Sequence, residues 1–323
     1  MPLTADRVIR TVLGDVPAQE WGVTNMHTHL VSDLYAPSAD ELYADFVLTG
    51  TEMAAEVDGF AAAGGFAIVE CTPRGLGRDP AWMREASQRT GVRIVAGAGL
   101  YHERFHPLEV AGSTDAELTE SFVREIEQGM DGTTVRAGII GELGTDADRM
   151  TAAEERVFRA AARAALRTGV AVSTHTYLGG LAVEQLDVLE DEGLPAHRIV
   201  IGHLDDMPII DLELCRLVAE RGAYVQFDGA GCEYYSATMR AQMPTDAERL
   251  RAAAALVESG FGDRLLLASD ICRRRHLRTE GGPGLAHHPG AFGSLAGSVL
   301  GAHTARTVFV DNPRTVLMLE RAA

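Results

Sequence analysis

A chain of 323 residues suffices for one barrel-sized domain or two ordinary ones. With 46% hydrophobic and 23% charged residues, its composition is that of a soluble globular protein. A net charge of −17 argues against nucleic acid and against an anionic membrane surface as partners.

Along the chain, short apolar runs read as buried strands at Val23–Leu30, Phe66–Thr72, Arg93–Tyr101, Gly138–Gly144, Ala171–Tyr177, Ile199–Asp205, Ala223–Gly229 and Leu265–Ile271. Most lack strict alternation, as expected of strands covered on both faces in a parallel sheet. Helical stretches lie between them. The clearest spans Thr151 to Thr168, where Thr151 and Glu154 form a capping box and Gly169 supplies the C-cap. Its interior places Val157, Ala161 and Leu166 roughly along one face. Eight strands alternating with helices predict an α/β fold, a single (β/α)8 TIM barrel spanning 1–323. A doubly wound open sheet is the competing architecture, but no glycine-rich dinucleotide fingerprint is present. The stretches Tyr235–Arg249 and Arg273–Gly301 follow strands 7 and 8, where barrel loops build the active face.

Six residues of metal-ligand type fall at the carboxyl ends of these strands. His27 and His29 are one residue apart at the end of strand 1, a spacing that puts both imidazoles on one side of a strand. Glu142 lies near the end of strand 4, His175 of strand 5, His203 of strand 6 and Asp270 of strand 8. Each has an ordinary explanation alone: a capping carboxylate, a hydrogen-bonded core histidine, a turn aspartate. Six such coincidences of residue type and strand end point instead to one metal site. All 29 basic residues are arginine, which excludes Schiff-base chemistry, a P-loop lysine and a lysine-linked pyridoxal cofactor.

The motifs run nearly end to end: Ile9 to Gly14, the His-x-His at 27–29, Gly77-Arg78-Asp79, and Ala137 to Gly144. They continue with Ser173 to Thr176, Ile201-Gly202-His203, Ser269-Asp270-Ile271 and Asn312-Pro313. By these the chain resembles the phosphotriesterase-related branch of the amidohydrolase superfamily. The resemblance implies an amidohydrolase-type barrel with a binuclear metal site. His27, His29 and Asp270 would bind the more buried ion, and His175 and His203 the more exposed one. A carboxylate and a hydroxide would bridge them. Many relatives use a carboxylated lysine on strand 4 as the bridge; this chain has Glu142 and no lysine, and so resembles the glutamate-bridged subgroup. Two divalent cations roughly 3.5–4 Å apart lower the pKa of a shared water and polarise the bond under attack. Zinc suits imidazole and carboxylate ligands, with manganese, cobalt or iron as alternatives. Asp270 would orient the hydroxide and take up its proton.

For the substrate, Arg273 and Arg275 after strand 8 are candidate readers of an anionic group, and Tyr101 and Tyr177 candidate pocket residues. Glu233 and Tyr234 are weaker candidates; Cys71 and Cys272 are expected to pack or line the pocket, and His287 and His288 to be loop residues. Against the anion-reading role, the arginines could simply pair with the chain's many carboxylates. The four cysteines lack CxxC spacing and no export signal or membrane-length apolar run is evident, so a reduced, cytoplasmic protein is expected, with a homodimer held open. The favoured function is hydrolysis of a small lactone, ester or amide. Phosphoester or phosphotriester hydrolysis is the alternative, and a non-hydrolytic metal-dependent lyase or a binding protein the reading from another class.

Overall fold

The computed structural model describes residues 7–145, 149–236 and 240–320, so part of the expected Tyr235–Arg249 loop lies outside the described residues. Eight parallel strands appear where the apolar runs lie, each shorter than its run. They are β1 (Thr24–Thr28), β2 (Ala67–Glu70), β3 (Arg93–Ala96), β4 (Ile140–Gly144), β5 (Val172–His175), β6 (Ile199–Gly202), β7 (Tyr224–Phe227) and β8 (Leu265–Leu267). Between them stand α1 (Gly50–Ala62), α2 (Pro80–Thr90), α3 (Asp115–Glu127), α4 (Ala152–Thr168), α5 (Ala182–Asp191), α6 (Leu212–Glu220) and α7 (Asp246–Glu258), with α8 (Gly293–Leu300) after β8. The alternation is that of an α/β TIM barrel.

Parallel ladders join β1 to β2, β2 to β3, and β4 through β8 in order. Between β3 and β4, Gly97 bridges Ile139, and Ala98 N–H donates to Ile139 O at 3.0 Å. A Cβ on Gly97 would lie 2.1 Å from Gly141 O, so this seam closes only because residue 97 has no side chain. β8 meets β1 through the Asn25 side chain, which accepts from Ser269 N–H at 2.9 Å and donates to Ser269 Oγ at 3.0 Å. Above it, His29 N–H donates to Ile271 O at 3.2 Å.

Strand parity divides the core in two. Ile68, Ile94, Ile140, Val172, Ile201, Val225 and Leu267 pack against the helices, while Ala67, Val69, Val95, Ala171, Val200, Tyr224 and Leu266 fill the barrel interior. Four helices begin with the same Thr-x-x-Glu capping box: Thr49/Glu52, Thr114/Glu117, Thr151/Glu154 and Thr245/Glu248. Helix α4 matches expectation in extent and in its Gly169 cap at φ +78°. Its buried face differs. Val157 and Ala161 are buried with Ala164, Ala165 and Thr168, but Leu166 is 40% exposed. Nine residues at about 100° each bring Leu166 half a turn from Val157, so it belongs to the outer face.

Candidate active site

The six expected ligand residues converge at the carboxyl end of the barrel, but the backbone aims them in three different ways. Plain alternation suffices for two. Ala171 and His175 share the inward parity of β5, and Leu266, Ala268 and Asp270 that of β8. In β1 and β4 the ladder slips by one residue, between Asn25 and Thr28 and between Ile140 and Leu143. Two consecutive residues then oppose one on the neighbouring strand, as in a β-bulge. His27 consequently faces the centre although Met26 already packs inward, and Glu142 does so although Ile140 packs outward. His203 follows β6 in the left-handed conformation, φ +58°, which turns its ring into the cluster.

Glu142 sits at the middle. Its Oε2 lies 3.0 Å from His175 Nδ1 and 3.4 Å from both His27 Nε2 and His203 Nε2; its Oε1 lies 3.5 Å from His29 Nε2. Asp270 Oδ1 lies 3.4 Å from His29 Nε2 and 4.0 Å from His27 Nε2. Burial pushes the Glu142 carboxyl up, yet the His175 imidazole beside it, with His203 and His27, holds it well below the usual carboxylate range. Burial lowers His27 and His175, favouring neutral rings with available lone pairs. Burial opposes the charge on His203 as well, but the Asp228 carboxylate raises that ring well above its ordinary value.

Two polar atoms in this cluster are buried without a hydrogen-bond partner: His27 Nε2 and Asp270 Oδ1. An orphaned lone pair is costly unless something else satisfies it. The ligand atoms of His27, His29 and Asp270 lie within 4.8 Å of one another, as do those of His27, Glu142 and His203. Imidazole nitrogen and carboxylate oxygen in such groups fit divalent metal ions.

Behind the cluster stand residues outside the six sequence-predicted ligands. Asp228, at the end of β7, lies 2.8 Å from His203 Nδ1 and accepts from His203 N–H at 3.0 Å. Asp205 accepts from the backbone of Asp228 at 2.9 Å and pairs with the buried Arg249 at 2.6 Å. Its place at a strand end was the signal that could have found Asp228.

The cluster opens into a cavity of about 430 Å³. Tyr101 lines it and its hydroxyl lies 3.2 Å from His175 Nε2; Tyr177, Tyr234, Cys272 and Arg273 line it too. The Arg273 guanidinium lies 4.0 Å above the Phe46 ring, and among the described residues it forms no ion pair. Arg275 departs from expectation. It is exposed, outside the cavity lining, and its guanidinium is paired with Asp45, while Arg274 pairs with Glu52 and Glu280. Of the three successive arginines, Arg273 alone lines the cavity, and carboxylates pair with its two neighbours. Glu233 likewise lies outside the lining, accepting from Asp246 N–H at 2.6 Å. Cys71 is fully buried and packs in the barrel interior. His287 pairs with Asp246 at 2.7 Å and His288 with Leu267 O at 3.0 Å.

The family model for the Phosphotriesterase family matches residues 7–317. The chain belongs to that family. The phosphotriesterase homology protein of Escherichia coli, solved with phosphate in its active site, superposes with a TM-score of 0.83 at 33% identity, covering 92% of this chain and 98% of that one. A lactonase from Listeria monocytogenes superposes with a TM-score of 0.87 at 28% identity, covering 97% and 100%. The N-acetyltaurine hydrolase of Danio rerio is 31% identical over 310 residues, 86% of this chain and 88% of the relative. As a member of the Phosphotriesterase family, the protein is a metal-dependent hydrolase, and no helix among its described residues is long and apolar enough to cross a membrane.

Proposed function

We propose that the chain hydrolyses a small lactone, ester or amide carrying an anionic group, with two divalent metal ions held around Glu142. The observation that carries this reading is the Glu142-centred cluster opening onto a cavity whose wall presents Arg273, which forms no ion pair among the described residues. His27, His29 and Asp270 would hold one ion, His175 and His203 the other, and Glu142 both. Zinc best suits this donor set, with manganese, cobalt or iron as alternatives. When bound, the ions supply Lewis-acid activation of water and of the acyl carbonyl. Asp270 accepts the proton from the attacking water and returns it to the leaving alcohol or amine as the acyl bond breaks. Tyr101, against His175, and Tyr177 shape the space beside the acyl group. Arg273 grips the anion with paired N–H donors.

The relatives' names support acyl chemistry from two directions: one is a lactonase, another acts on N-acetyltaurine, an amide bearing a sulfonate. Phosphoester hydrolysis is the second reading, favoured by the phosphate in the active site of the Escherichia coli relative. Assaying the metal-loaded protein on lactones, N-acyl aminosulfonates or N-acyl amino acids, and phosphoesters separates the two. Turnover of phosphoesters alone would overturn the acyl assignment. Metal analysis of the reconstituted protein is expected to give about two equivalents per chain; a value that never exceeds one rejects the binuclear site.

Arg273 and Arg275 should behave differently on the active substrate. Arg273→Ala is expected to raise KM with kcat nearly intact, costing roughly ten- to a hundredfold in kcat/KM, as for a lost charge-assisted contact. The loss should shrink on a neutral analogue, and Arg275→Ala should match the parent on both. Equal losses on charged and neutral compounds would show that Arg273 serves structure alone.

A further inference from the structure

His29 has a second partner on the side away from the cluster. Its Nδ1 lies 3.0 Å from the Thr72 hydroxyl, and that hydroxyl in turn donates to Oε1 of Glu70. Glu70 is fully buried at the end of β2; its Oε1 also accepts from Leu30 N–H at 3.2 Å, and its Oε2 from Thr72 N–H at 3.3 Å. Burial raises the Glu70 carboxyl above its ordinary range, and the three donors converging on it, with His29, act in the opposite direction.

The polarity of this chain follows from counting protons. A hydroxyl has one. Donated to Glu70, it leaves the Thr72 oxygen able only to accept, so the imidazole proton of His29 resides on Nδ1. The lone pair is then on Nε2, the nitrogen that faces Asp270 at 3.4 Å and Glu142 at 3.5 Å. The opposite polarity would need a proton on Glu70 and would place the imidazole proton on Nε2, inside the cluster, where it would block coordination.

We propose that Glu70, acting through the Thr72 hydroxyl, is a positioning residue that fixes the tautomer and orientation of His29 for metal binding. The inference rests on His29 being a metal ligand, as in the function proposed above. Capping the backbone N–H groups of Leu30 and Thr72 accounts for Glu70 alone; it gives no role to the hydroxyl interposed between carboxylate and ring. Carboxylates that orient metal-bound histidines typically contribute about 10–100-fold to metal affinity.

The test is a zinc titration of the full-length chain in competition with a chromophoric chelator. Thr72→Val removes the relay and leaves both backbone contacts to Glu70 in place, Glu70→Gln removes the carboxylate charge, and Thr72→Ser restores the hydroxyl without the methyl group. Thr72→Val and Glu70→Gln are expected to weaken one metal equivalent by roughly 10–100-fold, with Thr72→Ser at parental affinity. Thermal unfolding in chelator reports any purely structural loss. If Thr72→Val lowers that midpoint but binds zinc like the parent, or if Thr72→Ser loses as much affinity as Thr72→Val, the relay is wrong. A parent chain that binds no zinc would overturn the metal site itself, and this inference with it.

Discussion

Replacing Glu142 by alanine should remove metal and turnover together. Among the described residues, the carboxylate is the only group that contacts four of the proposed ligand imidazoles, at 3.0–3.5 Å, and it lies between the two sets of residues proposed above to hold the two ions. Without it, two cations would face each other across neutral rings with no negative charge between them. The chain contains no lysine, so no carbamate can substitute. Reconstitution should therefore be indifferent to bicarbonate. Glu142→Gln keeps the shape and loses the charge, and metal content is expected to fall in this variant too. Metal analysis and activity on the same preparations provide the check. Full metal content with normal turnover in Glu142→Ala would reject the bridging role.

Asp270→Asn is expected to separate metal binding from chemistry. The amide retains an oxygen that can still ligate, but it cannot accept a proton. Loss of a general base typically costs about 10²–10⁴-fold in kcat. His29 and His27 hold the Asp270 carboxyl below the usual range against the effect of burial, so it is ionised and free to take up a proton, and its Oδ1 is otherwise unsatisfied. Measured kcat within a few-fold of the parent, with metal retained, would show that another group takes the proton.

The strand ends carried most of what could be read from sequence. Apolar runs bounded by turns located all eight strands, and residues with ligand chemistry at the ends of those runs located the cluster. Parity alone predicts the inward aim of His175 and Asp270. It fails for Glu142, which shares sequence parity with the outward Ile140, because the slip in β4 depends on pairing with β5. It fails for His203 because one left-handed residue redirects the chain. Leu166 lies on the outer face because nine residues carry it two and a half helical turns beyond Val157. The separate fates of Arg273 and Arg275 depend on Phe46 and Asp45, more than 200 positions away, and no local pattern records such a neighbour. Glu70 and Thr72 are silent in the sequence for a related reason: their partners, His29 and Leu30, follow another strand.

The seam between β8 and β1 joins residues 244 positions apart, through Asn25 and Ser269. Directly above it, His29 and Asp270 face each other from opposite sides. An ion held by both is a rivet across the last joint of a closed ring. Fastening that joint opposes the loop-closure entropy of about three quarters of the chain, and a ligand bound only by the folded form stabilises that form by mass action. Stripped of metal, the barrel should begin to open here, with the amides of His29 and Ser269 exchanging ahead of those in the β4–β7 wall.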